Sequence, residues 1–110
     1  HNFSSLDDLP HCPNLQYLYI YNNKLTSLSG LQNYPNLQGL DVSHNNISSL
    51  DDLPTCRNLK ALDISRNNLS SLDGLKNCNR LEYLDISRNT QISTLTRSQI
   101  NFIYIETINI

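Results

Sequence analysis

Leu15, Leu37, Leu59 and Leu81 recur at a constant step of 22 residues. The text after the first three aligns without gaps: LQYLYIYNNKL, LQGLDVSHNNI and LKALDISRNNL. The fourth copy, LEYLDISRNTQI, carries one extra residue before Ile92. A unit this small cannot bury an apolar face alone, so the copies must stack on one another. In the shared pattern L-x-x-L-x-L-x-x-N-x-L the second and third apolar residues alternate with other positions, as a short strand requires. One strand per copy makes a parallel sheet with neighbours about 4.8 Å apart. The rest of each copy must return across the far side, a path too short for a full helix with two loops. Its apolar residues are spaced by three (Leu25, Leu28 and Leu31; Ile47, Leu50 and Leu53; Leu69, Leu72 and Leu75), which fits 3₁₀ turns or one or two helical turns. Gly30, Asp52 and Gly74 stand at equivalent bends, where permissive or turn-forming residues are useful.

The periodicity divides the chain into a partial repeat 1–14, full repeats 15–36, 37–58 and 59–80, an irregular repeat 81–99 and a degenerate strand unit 100–110. Phe3, Leu6 and Leu9 match Ile47, Leu50 and Leu53, so the chain starts in mid-repeat. In the last unit Ile100, Ile103 and Ile105 match the strand leucines and Ile108 falls at the Asn position, after a step of 19 residues from Leu81. Neither end shows the polar cap that terminal repeats need. The expectation is a piece of a larger protein, with neighbouring chain segments or subunits covering the open ends.

Asn23, Asn45, Asn67 and Asn89 form a second ladder. Their amides are expected to point inward and satisfy the backbone of the turn that leaves each strand. An unpaired group there would cost about 1–3 kcal/mol. Cys12, Cys56 and Cys78 occupy one repeat position, shared with Tyr34, that should lie in the core. An odd number of cysteines with no CxxC pair supports neither a disulfide framework nor a zinc site. Free thiols buried as small apolar groups point to the cytoplasm or another reducing compartment, with an extracellular location as the alternative. Asn-x-Ser sequons at Asn2, Asn46 and Asn68 matter only in that alternative.

The exclusions are simple. A hydrophobic content of 38% is too high for a disordered segment, and it is spread too evenly for a membrane span. A net charge of −2 without a basic block argues against nucleic acid. The chain has no secretory signal pattern. No Gly-rich phosphate loop, GxSxG, HExxH or Cys/His cluster is present, so no enzyme, cofactor or metal is expected.

The 22-residue unit, as in NNISSLDDLPTCRNLKALDIS, resembles the short class of leucine-rich repeats, that of the protein phosphatase 1 regulatory subunit and of the internalins. The resemblance implies an α/β, right-handed solenoid, with short parallel strands on the concave face and 3₁₀ or short helical turns on the convex face. It also implies a non-enzymatic scaffold that binds a protein or peptide through the concave sheet. A structural spacer within a larger assembly, or an internalin-like surface adhesin, is the alternative.

Outward-pointing strand residues should line that concave face: Tyr17, Tyr19 and Tyr21, then Gly39, Asp41 and Ser43, then Ala61, Asp63 and Ser65, then Tyr83, Asp85 and Ser87. The next position adds Asn22, His44, Arg66 and Arg88, and the last unit Phe102, Tyr104 and Glu106. The partner-binding set expected from this face is Tyr17, Tyr19, Tyr21, Asp41, His44, Asp63, Arg66, Tyr83, Asp85 and Arg88. Tyr17, Tyr19 and Tyr21 depart most from ordinary filler, and exposed tyrosines are favoured interface residues. Two repeats without aromatics separate them from Tyr83. Asp41, Asp63 and Asp85 would repel along their column by roughly 1 kcal/mol per neighbour, which Arg66 and Arg88 are expected to offset. A single row of carboxylates does not surround a cation. His44 has no Ser or Cys nucleophile motif beside it.

Overall fold

The structure, a computed structural model, describes residues 4–22, 24–54 and 56–89 and the backbone of 107–109. Among these residues, five three-residue strands run in order across one parallel sheet: β1 (Tyr17–Tyr19), β2 (Gly39–Asp41), β3 (Ala61–Asp63), β4 (Tyr83–Asp85) and β5 (Thr107–Asn109). The sequences YLY, GLD, ALD and YLD owe little to intrinsic strand preference, because Gly, Ala and Asp are depleted in strands. Stacking makes them strands. Leu18, Leu40, Leu62 and Leu84 stand side by side in the ladder. The hydrogen bonding runs past the strand ends on both sides, for example from Gln38 N–H to Gln16 O at 2.7 Å and from Arg66 N–H to Ser87 O at 2.9 Å.

Inward from the sheet, apolar residues stack as continuous columns. Leu59, Leu62, Ile64 and Leu69 of one rung are fully buried, as are Leu25, Ile47, Leu72 and Leu84 in their own. Burying one such side chain contributes about 1.5–3 kcal/mol. The repeated leucines are therefore the main driving force of the fold.

The Asn ladder does more than close its own turn. Asn67 Nδ2 donates to Ile64 O and Ser65 O of its own rung, both at 3.1 Å, and to Val42 O of the rung before at 3.0 Å. Its Oδ1 accepts from Ile47 N–H, again in the rung before, at 2.9 Å. Asn45 and Asn89 repeat this set, with Leu25 N–H and Ile20 O for the first and Leu69 N–H and Ile64 O for the second. Each amide thus clamps two rungs together. Asn23 lies outside the described residues.

Asn22, His44, Arg66 and Arg88, one residue before these amides, all have left-handed backbone with φ between 55° and 63°. Such a conformation is uncommon outside glycine. It swings the chain off the strand at every rung.

On the return path, Ser5, Ser27, Ser49 and Ser71 each accept the N–H two residues on, at 2.9–3.3 Å. Beyond these serines the rungs alternate. One kind turns through SSLDDLP, at 4–10 and 48–54, the first with a 3₁₀ turn over Leu6–Asp8. The other bends at a glycine with φ of 101° (Gly30) or 96° (Gly74) and then makes a 3₁₀ turn, Leu31–Asn33 or Leu75–Asn77. Asp52, expected at an equivalent bend, is in a turn but not among the left-handed residues.

The glycine bends press on the rung before. A Cβ at Gly30 would come within 2.7 Å of Asp7 Oδ1 and 2.9 Å of Asp7 N, and one at Gly74 would collide with Leu50 O. Asn77 Nδ2 also reaches back to Leu53 O at 2.8 Å. Between one such pair of rungs and the next no glycine makes this contact. A cavity of about 110 Å³ opens there, lined by Leu31, Tyr34, Leu37, Pro54 and Cys56 among others.

The last strand corrects the sequence reading. Ile108 pairs with Leu84, so it fills the strand position and not the Asn position. The step across this repeat is 24 residues. Ile105, Ile108 and Ile110 carry the same spacing as Ile100, Ile103 and Ile105. The later register leaves the return path enough chain, where a 19-residue step would shorten it. Ile100, Ile103, Ile105, Phe102, Tyr104 and Glu106 lie outside the described residues.

Candidate functional site

The open face of the sheet is organised in rows set by the strand register. The first row is Tyr17, Gly39, Ala61, Tyr83 and the second Tyr19, Asp41, Asp63, Asp85. Tyr17 and Tyr83 sit in one depression of about 230 Å³, which Tyr19, Gly39, Asp41, Ala61 and Asp63 also line. The two aromatic-free rungs between the tyrosines are therefore the floor of a shared slot. The Tyr17 ring leans over Gly39, where a Cβ would stand 2.9 Å from its Cδ1. The Tyr17 hydroxyl donates to Gln38 Oε1 at 3.3 Å. At the other wall, the Tyr83 hydroxyl is 3.5 Å from Asp85 Oδ2.

Tyr17, Tyr19 and Tyr21 are 52%, 65% and 60% exposed, against a floor in which Gly39 is buried and Ala61 half-buried. Neither Gly39 nor Ala61 was in the expected partner-binding set. The signal was two small residues in a row that begins and ends in tyrosine, legible only once the rows are in register.

The aspartates are held by serine. Asp41, Asp63 and Asp85 each accept at Oδ1 the N–H of the serine two residues on, at 3.0 Å, and its hydroxyl, at 2.6–2.7 Å. This D-x-S turn explains why Ser43 and Ser65 are buried and not presented on the face. The serines hold the carboxylates in place without neutralising them. Arg66 and Arg88 are exposed beyond the strand ends, on left-handed backbone, and do not line the slot; His44 stands the same way. The expected set therefore splits in two. Tyr17, Tyr19, Asp41, Asp63 and Tyr83 come together, Tyr21 and Asp85 flank them, and His44, Arg66 and Arg88 form a separate edge.

On the opposite side, the position shared by Cys12, Tyr34, Cys56 and Cys78 lies only partly in the core where it was expected. Tyr34 and Cys78 are buried, and Cys12 and Cys56 are half-buried. All three thiols are free. The Tyr34 hydroxyl donates to Pro10 O at 2.8 Å, and burial, then the Cys12 thiol, raises its pKa. Cys78 beside it holds the Cys56 thiol below its usual range by hydrogen bonding, against the opposing effect of burial. Cys78 itself is pushed up by the same bond and by burial. Among the described residues no group of three or more His, Cys, Asp or Glu could hold a metal ion, and no helix is long and apolar enough to cross a membrane.

Stacked parallel strands, Asn clamps at three successive rungs among the described residues and a fixed apolar column define a leucine-rich-repeat solenoid. The family model for leucine-rich repeats in two copies matches residues 13–55, 35–77 and 57–101, and the chain belongs to that family. No curated protein matches it in a sequence comparison. Leucine-rich-repeat domains generally mediate protein–protein interaction and are typically non-enzymatic.

Proposed function

We propose that the chain is a recognition module that holds a protein or peptide against the open face of its sheet, and that it performs no chemistry of its own. The exposure of Tyr17, Tyr19 and Tyr21 on one strand and its continuation carries this reading. Tyrosine supplies a large, rigid contact area with few rotatable bonds, and it is enriched among residues that dominate binding energy. The rung that presents these residues is tied to the next by Asn45, and the later rungs to one another by Asn67 and Asn89, so binding spends little on ordering the surface.

The test is affinity purification from the native source, with cross-linking through the exposed Lys24, Lys60 and Lys76. Truncating a central tyrosine anchor costs about 2 kcal/mol, so the double variant Tyr17→Ala/Tyr19→Ala should lower partner recovery more than tenfold. Undiminished recovery would remove the open face from the binding surface. On the free thiols we also assign the protein to a reducing compartment. Mass spectrometry that found a Cys56–Cys78 bridge, or glycans on Asn46 or Asn68, would place it outside the cell.

A further inference from the structure

The slot on the open face has a shape and a charge that together select one kind of side chain. Its walls, Tyr17 and Tyr83, stand three strand spacings apart, about 14 Å between backbones. The Tyr17 ring, lying over Gly39, narrows that span. The floor is Gly39, which has no side chain, and Ala61, which offers only a methyl, so a hollow is left between the walls. Along one side run Asp41 and Asp63 on adjacent strands. Their Oδ1 atoms are occupied by Ser43 and Ser65, and neither Oδ2 has a partner among the described residues. The lining holds no cationic residue. The slot is therefore aromatic at its walls, apolar at its floor and negative along one rim.

We propose that this slot takes an arginine side chain of the partner protein. The proposal rests on the reading of the open face as the docking surface. The methylene stem lies over Ala61, and the planar guanidinium stacks on the Tyr17 ring, which itself covers Gly39. Its fork of N–H donors meets the Oδ2 atoms of Asp41 and Asp63, which sit one rung apart. A cation there also relieves the repulsion between the two carboxylates. Lysine is the poorer occupant, because its ammonium is a strongly hydrated point charge that neither stacks as a plane nor bridges two acceptors in a fixed geometry.

The experiment is a nuclear magnetic resonance titration of the full chain with the capped tripeptide acetyl-Gly-Arg-Gly-amide. Two comparison probes carry citrulline, which has the same shape without the charge, or lysine in place of arginine. The arginine probe should shift the Gly39 amide and the Ala61 methyl. Citrulline should bind at least tenfold more weakly, with lysine in between. Asp63→Asn keeps an Oδ1 acceptor for Ser65 while removing the charge, and should weaken the arginine probe at least fivefold. Equal response to arginine and citrulline overturns the proposal, as does the absence of any shift at Gly39 and Ala61 or insensitivity to Asp63→Asn.

Partner recovery separates this from the broader reading. Gly39→Val fills the floor at a position with ordinary backbone, where the atom it meets is the movable Tyr17 ring. Recovery that survives Gly39→Val but falls with Tyr19→Ala/Tyr21→Ala keeps the docking face and eliminates the arginine slot. Recovery that survives both eliminates the two together.

Discussion

The two halves of each rung obey different rules. From the strand to the Asn clamp, the second to fourth rungs are near-copies: the D-x-S turns and the Asn bonds recur at distances that differ by a few tenths of an ångström. Beyond the serine of the return path, rungs alternate between the DDLP turn and the glycine bend. A side chain that bonds the backbone of two rungs leaves no freedom at either one. A surface that only has to fit its neighbour's shape can vary, provided the neighbour varies with it.

Breaking the clamp should have the largest effect. Asn67→Ala orphans the buried Ile47 N–H, while Val42 O keeps the bond from Asn45, Ile64 O that from Asn89 and Ser65 O that from His44 N–H; with the space the buried amide leaves behind, it should destabilise the chain by about 3–4 kcal/mol in urea denaturation. Asn77→Ala on the return path removes the bond to Leu53 O and should cost only about 1 kcal/mol. Equal losses would erase the distinction between the halves.

Next comes the glycine bend. Gly74→Ala must adopt positive φ and push against Leu50 O, for an expected loss of about 3 kcal/mol. Asp52→Ala, at the exposed equivalent position of the other turn type, should stay within about 0.5 kcal/mol of the parent. On the strand side, Ser65→Ala loses its hydroxyl bond to Asp63 but keeps the N–H bond, and should cost about 1 kcal/mol. Arg66→Gly, at φ of 55°, should be neutral or stabilise by up to about 1 kcal/mol, as strain relief offsets the entropy of glycine. Thermal melts would resolve both.

The smallest effect is chemical. Thiolate is the nucleophile, and Cys56 ionises below its usual range while Cys78 ionises above it. As pH falls from alkaline values, alkylation of Cys56 by iodoacetamide should therefore persist to lower pH than that of Cys78. Removing the donor, in Cys78→Ala, should shift Cys56 reactivity to higher pH. Peptide mapping after partial labelling reads both.

Leu15, Leu37, Leu59 and Leu81 made the fold legible from the sequence, since a fixed apolar step admits little but stacking. The Asn column was legible for the same reason, although its reach into the preceding rung was not. Ile108 was misread because the isoleucine-rich end carries its spacing in two registers, and only backbone pairing with Leu84 selects one. The left-handed residues escaped notice because Arg66 and Arg88 look like surface charges and nothing in their chemistry announces a positive φ. In the slot, the tyrosines were visible individually. The partnership of Tyr17 with Tyr83 was not, because it depends on two small residues in the rungs between them.

The alternation of turns also bears on how such a chain can grow. Gly30 nests against Leu6 and Asp7, and Gly74 against Leu50, while a cavity separates one nested pair from the next. Two rungs, 44 residues, therefore form the module that can be copied or excised whole. Insertion of a single rung would set two like turns against each other. Lineages, and designers extending the solenoid, should find even-numbered changes in length far easier to accommodate than odd ones.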